Sequence, residues 1–329
     1  SAASDVYKRQ SEYRKYFFRY ASEFGFQSFP SVKTLETVTD DPKELNPFSY
    51  VMEKHQRNYG GNGKIAKYMQ AAYRYPENFS DFVYASQLLQ ADGIRYGVEH
   101  YRRNRGRCMG AIYWQLNDCW PVISWSSIDY YGRWKALHYY AKRFFAPVML
   151  SCEEQSWMTV EADMNRQHFE FEKSIRLNVT NETLDAHRVL VKWAVRKTDA
   201  TILREEEQWL EVPALSAVWM DKVELPQIDC FNEYVSYEAW ENDQIISQGT
   251  VIFSYPKYFH YLNPGLAVRV DGDEIVVKAE AYAKSVEIRN ENDDLILEDN
   301  YFDMNAGEYR VKILDGKPDG LKVRSVYDI

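Results

Sequence analysis

A carboxylate with unusual neighbours is the first residue in this sequence that could do chemistry. Glu23 lies in the stretch Ser22-Glu-Phe-Gly-Phe-Gln-Ser-Phe-Pro30, at the end of a short predicted strand that stops before Gly25. A charged carboxylate among bulky aromatic side chains is unfavourable unless it is hydrogen-bonded or takes part in chemistry. Two interpretations stay open on the residues alone. Glu23 is a catalytic carboxylate, or it is structural and caps a loop or pairs with Arg19.

A second polar and aromatic segment follows another predicted strand. It reads Tyr113-Trp-Gln-Leu-Asn-Asp-Cys-Trp-Pro121 and is followed by Ser124-Trp-Ser-Ser127. Trp114 at the strand end could form the floor of a sugar site, because a flat aromatic ring packs well on an apolar face. Gln115, Asn117 and Asp118 could then bind hydroxyl groups. The alternative is that Trp114 packs in a core while Asn117 and Asp118 form a turn.

The elements that must position these residues form an α/β region over residues 11–147. Helical spacing of apolar residues and short apolar runs identify the elements. The predicted strands are 19–24 and 109–114, and the predicted helices are 48–58, 64–75, 80–103 and 132–145. Strands that alternate with helices indicate parallel pairing, as in a (β/α)8 TIM barrel. A full barrel takes about 250 residues, so this region predicts only the C-terminal part of one.

The remaining residues have the pattern of antiparallel sheets. Alternating, β-branched runs such as 174–180 and 189–195 are separated by Asn and Asp, which is typical of a β-sandwich. We predict one Ig-like sandwich over 148–255 and a smaller one over 256–329. The fold class is therefore multidomain, α/β followed by all-β.

Composition excludes some functions and permits others. The net charge of −9 argues against a general nucleic-acid binder. No segment approaches the roughly 20 apolar residues that span a bilayer, so no membrane partner is expected. The cysteines and histidines show no metal-ligand spacing, and no cofactor motif is present, so neither metal nor cofactor is expected. The 26 Tyr, 16 Phe and 9 Trp residues permit a carbohydrate enzyme without requiring one.

The first ten residues look foreign to the rest of the chain. Residues 1–10 match an in-frame translation of a transposase sequencing adapter, and we expect them to be an assembly artefact joined to a truncated gene. Localisation stays open, with a weak preference for the cytoplasm because the four cysteines show no disulfide framework.

The long motifs resemble one enzyme family. The segments Ser22 to Ser31 and Ala111 to Pro121, with the run Ser124 to Pro147, are similar to the β-mannosidases of glycoside hydrolase family 2. The resemblance covers residues 12–329, including the ending Gly320-Leu-Lys-Val-Arg-Ser-Val-Tyr-Asp-Ile329. It implies a retaining exo-β-mannosidase that removes terminal non-reducing β-D-mannose from oligosaccharides.

The same resemblance assigns roles to residues. It implies that Glu23 is the nucleophile and that Trp114 lines the site for the terminal mannose. We expect further substrate contacts from a set of polar and aromatic residues near these two: Gln27, Asn117, Asp118 and Trp120. In the family, an Asn-Glu pair on the fourth barrel strand carries the general acid/base, and we expect no such strand in this sequence. We therefore expect the fragment itself to be inactive.

Two rival functions remain at this point. One is another family 2 glycosidase, namely a β-galactosidase, β-glucuronidase or exo-glucosaminidase. The other is a non-catalytic sandwich protein that binds glycans, for which Glu23 would be dispensable. The oligomeric state and the natural glycan cannot be read from the residues.

Overall fold

The computed structural model describes residues 10–160 and 170–329. Of the adapter-like segment, residues 1–9 lie outside the described residues. The first described element is a 3-10 helix, Gln10–Lys15. Among the described residues, no helix is both long enough and apolar enough to cross a membrane.

The α/β region holds five α-helices and two strands among its described residues. The helices are α1 Val32–Leu35, α2 Tyr50–Lys54, α3 Gly61–Ala72, α4 Phe79–Arg103 and α5 Ala136–Phe144; the strands are β1 Ala21–Phe24 and β2 Ala111–Tyr113. The two strands pair in parallel. Parallel neighbours need a long crossover, and helices α1 to α4 lie in the segment between the strands.

The long helix α4 begins one residue before its predicted start and ends at its predicted residue, Arg103. The Asn78 side chain accepts a hydrogen bond from the Asp81 backbone N–H at 2.9 Å, which caps the first turn. Basic residues occupy the last turn, where they suit the helix dipole. Most of its residues are buried, because α5 packs along it and because β2 and one sheet of the sandwich that follows lie beside it.

Two predicted helices are shorter than their patterns. The helix expected over 48–58 is only Tyr50–Lys54, because Gln56 leaves the helix to form a parallel bridge with Ile123. The helix expected over 132–145 begins at Ala136, because Trp134 pairs with Ile128 instead. In both places tertiary contacts override helix propensity.

The middle region is a sandwich of two antiparallel sheets. Its strands are β3 Val148–Gln155, β4 Ser174–Asn181, β5 His187–Lys197, β6 Ile202–Val212, β7 Ser216–Trp219, β8 Val223–Glu224, β9 Glu233–Glu241 and β10 Gln244–Ile252. One sheet has the order β10-β9-β5-β6 and the other β3-β4-β7, with β8 also on β4. Inward residues alternate along β5, where Val189, Val191, Trp193 and Val195 are buried.

A smaller sandwich completes the chain. Its strands are β11 Ala267–Asp271, β12 Glu274–Ala279, β13 Ala283–Arg289, β14 Ile296–Leu297, β15 Phe302–Met304, β16 Gly307–Asp315 and β17 Lys322–Arg324. They form the sheets β11-β12-β16-β14 and β15-β13-β17. The two predicted sandwiches are therefore present, whereas the described strands of the α/β region amount to one parallel pair. The TIM barrel itself stays a prediction.

The last sandwich packs directly on the helices of the α/β region. One continuous apolar core joins residues between 13 and 149 to residues between 275 and 326. The Tyr84 hydroxyl on α4 donates to the Ser285 carbonyl at 2.7 Å. The middle sandwich has a separate core of its own.

Candidate active site

Glu23 lies near the carboxyl end of β1 and is exposed. Its neighbour Phe24 is buried, with its ring edge-on to Tyr13 at 5.4 Å and to Tyr101 at 5.7 Å. Successive side chains of a strand point to opposite faces, so packing of Phe24 against α4 leaves Glu23 on the open face. Among the described residues Glu23 has no ion pair with Arg19, which is the partner that the structural interpretation named.

Gly25 is required by the close approach of the two candidate segments. A Cβ atom at this position would lie 2.2 Å from the Trp114 carbonyl oxygen and 2.9 Å from the Trp125 ring. The Trp114 backbone N–H also donates to the Phe24 carbonyl at 2.7 Å. The glycine therefore lets the chain after Glu23 touch the backbone of Trp114.

Trp114 directly follows β2 and is 47% exposed. The preceding residue, Tyr113, turns the other way, and its ring packs against Phe144 and Phe145 of the α5 region. The peptide bond between Trp114 and Gln115 is cis. Because β1 and β2 run parallel, Trp114 and Glu23 both lie at the carboxyl-terminal edge of this strand pair.

Asn117 and Asp118 lie in the loop after β2 and have different surroundings. Asn117 is exposed. The Asp118 carboxylate accepts hydrogen bonds from the Ser124 hydroxyl at 2.7 and 2.9 Å and from the Gln115 amide at 3.0 Å. Asp118 therefore ties its own loop together while remaining partly exposed.

Trp120 is held by residues of the α2 end. The His55 ring stacks on Trp120 with centroids 4.9 Å apart, and the Arg57 guanidinium lies 4.5 Å from the Trp120 ring. His55 Nδ1 is also 2.5 Å from the Pro121 carbonyl oxygen. The indole is consequently fixed in place at the rim of this loop.

Gln27 is fully buried. Its amide donates to the Gln56 side chain at 2.8 Å, and Gln56 in turn donates to Asn62 at 3.0 Å. This chain of amides joins the segment after β1 to the segment around α2 and α3. Gln27 therefore stabilises the position of the segment after β1 from within the interior of the protein.

The sequence patterns did not identify a set of buried polar residues that contact the segments following β1 and β2. Ser86, Gln87 and Gln90 on α4, together with Lys135, are at most 4% exposed. Burial lowers the pKa of Lys135 to about 8, while the nearby carboxylates Asp118 and Asp129 act in the opposite direction. A polar stripe inside an otherwise apolar helix would have been the signal for this set.

The surface around Glu23 and Trp114 is open. Ile112 and Leu116 on the same segment are 50% and 55% exposed. Two described cavities of about 280 and 260 Å³ lie elsewhere and are lined by neither Glu23 nor Trp114. No group of three or more His, Cys, Asp or Glu residues suited to a metal occurs among the described residues.

Comparisons with known proteins identify the family. Residues 173–258 match the family described as Mannosidase Ig/CBM-like domain, and residues 261–329 match an Ig-fold domain of mannosidases. "Beta-mannosidase B" of Thermothelomyces thermophilus is 30% identical over 94% of this chain, and "Beta-mannosidase" of Capra hircus is 39% identical over 40% of it. The chain belongs to the β-mannosidases of glycoside hydrolase family 2.

The solved structures agree on the fold. The crystal structure of β-D-mannosidase from Dictyoglomus thermophilum superposes with a TM-score of 0.83 over 98% of this chain, at 24% sequence identity. The chain spans 39% of that structure and 39% of the Thermothelomyces relative, and its match to the goat protein spans 16% of that protein.

Proposed function

We propose that the chain is part of a retaining exo-β-mannosidase, which hydrolyses terminal non-reducing β-D-mannose residues of oligosaccharides. The observation that carries the proposal is the placement of Glu23 and Trp114 at the carboxyl ends of two neighbouring parallel strands. That is the edge at which barrel enzymes build their sites. The relatives named β-mannosidases supply the substrate class.

The architecture proposed for this function is a barrel followed by two sandwiches. Residues 11–147 would contribute the last two strand–helix units of a TIM barrel, followed by sandwiches over 148–255 and 256–329. Parallel pairing of β1 with β2 supports this, as does packing of α4 and α5 on one side of the pair. The half-exposed apolar residues Ile112 and Leu116 suit a face that further barrel strands cover.

The chemistry proposed for Glu23 is nucleophilic displacement. One oxygen of its carboxylate forms a bond to the anomeric carbon as the bond to the leaving oxygen breaks, and a second carboxyl group protonates that oxygen. Water then attacks the glycosyl-enzyme, gives its proton to the second group and releases mannose with the original configuration. An exposed Glu23 with no partner among the described side chains suits a nucleophile that must reach the substrate.

The proposed sugar contacts divide into direct and supporting ones. Trp114 would stack on the apolar face of the terminal mannose, and the exposed Asn117 would bind a hydroxyl group. Trp120 would form a wall that His55 and Arg57 hold in place. Asp118 and Gln27 would shape the site, because their side chains bond to other protein groups.

The polypeptide of 329 residues is proposed to be inactive by itself. A retaining enzyme needs its two carboxyl groups about 5–5.5 Å apart. Strands β1 and β2 carry no acidic residue besides Glu23, and the Asn-Glu pairs of this sequence, at 181–182, 232–233 and 290–291, lie in the sandwich regions and not on a barrel strand. An assay of the chain on aryl β-mannosides should detect no hydrolysis, and measurable turnover would contradict this part of the proposal.

The function itself is tested in the parent enzyme with Glu23→Ala. We expect turnover of an aryl β-mannoside to fall by at least about 10³-fold, since a nucleophile is lost. Added azide should restore turnover and yield α-mannosyl azide, because the small anion enters the space of the missing carboxylate. The matched control is Glu77→Ala, which removes another exposed glutamate and should leave turnover unchanged.

A panel of aryl glycosides distinguishes the rival family 2 activities. The proposal expects β-mannoside to be the preferred substrate. A preference for β-galactoside, β-glucuronide or β-glucosaminide would transfer the assignment to that activity. Unchanged turnover of Glu23→Ala on every glycoside would remove Glu23 from the mechanism.

A further inference from the structure

Helix α4 carries three buried polar side chains where its surface meets the two strand ends. Ser86 and Gln90 are fully buried, and Gln87 is 4% exposed. Buried amides and hydroxyls are unfavourable unless each finds a partner. Their partners therefore indicate what this part of the helix does.

Gln90 bonds to both candidate segments at once. Its amide nitrogen donates to the Phe26 carbonyl at 2.8 Å and to the Ser126 carbonyl at 3.3 Å. Its amide oxygen accepts from the Ser28 hydroxyl at 2.7 Å. Phe26 and Ser28 follow Glu23 along the chain, whereas Ser126 belongs to the loop that follows Trp114.

Gln87 repeats the arrangement one turn earlier on the same helix. Its amide nitrogen donates to the Phe29 carbonyl at 3.1 Å, and its oxygen accepts from the Ala136 backbone N–H at 3.1 Å. Ser86 accepts from the Phe29 backbone N–H at 3.1 Å. The chain after β1 is thus held on both its N–H and its carbonyl side.

Lys135 joins the same two segments. Its ammonium group lies 3.3 Å from the Ser28 carbonyl and 3.4 Å from the Ser124 carbonyl, and the residue is 1% exposed. The Ser28 backbone N–H also donates to the Ser124 carbonyl at 3.0 Å. Bonds of a charged donor are among the stronger ones in a protein interior.

The two segments end at the residues that the proposed function uses. The backbone of Gln115, next to Trp114, donates to the Trp125 carbonyl at 3.0 Å, one residue before the Ser126 that Gln90 holds. On the other side, Phe26 lies three residues after Glu23. A shift in either loop therefore changes the position of the carboxylate relative to the indole.

We propose that Gln90, assisted by Gln87 and Lys135, is a positioning residue that sets the distance between the Glu23 strand and the Trp114 strand. Its importance for catalysis rests on the proposed function of Glu23. We call the hydrogen bonds that Gln90, Gln87 and Lys135 make to the two segments the clamp. Displacement of a reacting group by about 1 Å can cost about 10²-fold in rate, so a clamp that has lost bonds should reduce kcat. Gln90 itself touches no substrate.

The clamp is tested first in the 329-residue chain by hydrogen exchange. Gln90→Met keeps the length of the side chain and removes all three bonds. Exchange of the backbone amides of Ser28 and Gln115 should accelerate at least about tenfold, while the amides of β5 keep their rates. The matched control is Leu89→Ala on the same helix, which removes apolar packing and leaves the clamp bonds intact. Equal acceleration in both variants would overturn the clamp.

The catalytic role is tested in the parent enzyme at a temperature at which all variants remain folded. Gln90→Met should lower kcat on an aryl β-mannoside by about 10- to 100-fold and change KM by less than about threefold. Leu89→Ala should keep kcat near that of the parent. Where Gln90→Met fails to fold, Ser28→Ala removes a single bond of the same clamp and should lower kcat by a smaller factor. A Gln90 variant with full kcat would overturn the positioning role.

The two experiments separate this inference from the proposed function. Accelerated exchange in the chain, together with a parent enzyme that is inactive on β-mannosides, would leave the clamp standing and reject the function. An active parent whose Glu23 variant is inactive and whose Gln90 variant is unaffected would reject the positioning role alone.

Discussion

Replacement of Gly25 by alanine should disturb the contact that brings the two candidate segments together. The new Cβ would lie 2.2 Å from the Trp114 carbonyl oxygen, roughly 0.8 Å inside the 3.0 Å that real Cβ atoms respect. The carbonyl cannot retreat freely, because the Trp114 N–H is bonded to the Phe24 carbonyl at 2.7 Å and the Gln115 N–H to the Trp125 carbonyl at 3.0 Å.

The expected destabilisation is about 3 kcal/mol. An added methyl group in a packed interior typically costs 1–3 kcal/mol, and the upper part of that range applies when backbone rather than a flexible side chain must move. Two contacts below 3.0 Å place Gly25→Ala there. The free energy of unfolding can be measured by urea denaturation, followed by tryptophan fluorescence because Trp114 and Trp125 flank the substitution.

A second glycine supplies the matched control. Gly93 lies inside α4, and a Cβ at this position would meet no atom within 4 Å. Gly93→Ala should therefore stabilise the chain by about 0.5–1 kcal/mol, because alanine favours helix. If Gly25→Ala costs less than about 1 kcal/mol and leaves the fluorescence spectrum unchanged, the close approach of the two segments is wrong.

Three further predictions address the sugar contact, the acid response and the packing of the last sandwich. In the parent enzyme, Trp114→Ala should lower kcat/KM on an aryl β-mannoside by about tenfold, as expected when one aromatic stacking contact is lost, and unchanged kinetics would exclude that contact. Burial lowers the pKa of His100 to about 4 from its ordinary 6.5, so its stability contribution is present above pH 6.5 and lost as pH falls towards 4. His100→Gln should therefore make the melting temperature depend less on pH between 6.5 and 4. A pH dependence equal to that of the unsubstituted chain would contradict this role of His100. Arg324→Met should cost about 3 kcal/mol in calorimetry, since it leaves the buried Glu287 carboxylate and Asp81 on α4 without their cationic partner, whereas a neutral effect would contradict the packing of the last sandwich on that helix.

The elements that sequence patterns predicted best are those with long, uniform periodicity. Helix α4 begins within one residue of its predicted start, because apolar spacing and the Asn78 cap agree. The pattern over 48–58 was wrong at its end, because Gln56 bridges to Ile123, a residue far away in sequence. Periodicity contains no information on such a partner.

The candidate site divides in the same way. Glu23 and Trp114 could be named from motif and strand position, and the parallel pairing that brings their strand ends together followed from the order of elements. Gln90 and Lys135 could not be identified from the sequence, because a Gln or a Lys can face a loop, a core or solvent and the sequence does not distinguish these. Their buried bonds to Phe26, Ser28 and Ser124 exist only in the folded chain.

The most direct test of the central claim is covalent trapping of the glycosyl-enzyme in the parent protein. A 2-deoxy-2-fluoro-β-mannosyl fluoride should inactivate the enzyme, because the fluorine slows hydrolysis of the intermediate more than the good leaving group slows its formation. Mass spectrometry of the digested protein is then expected to show the fluoromannosyl group on Glu23. A label on any other carboxylate, or inactivation with no covalent label, would contradict the assignment of Glu23 as the nucleophile.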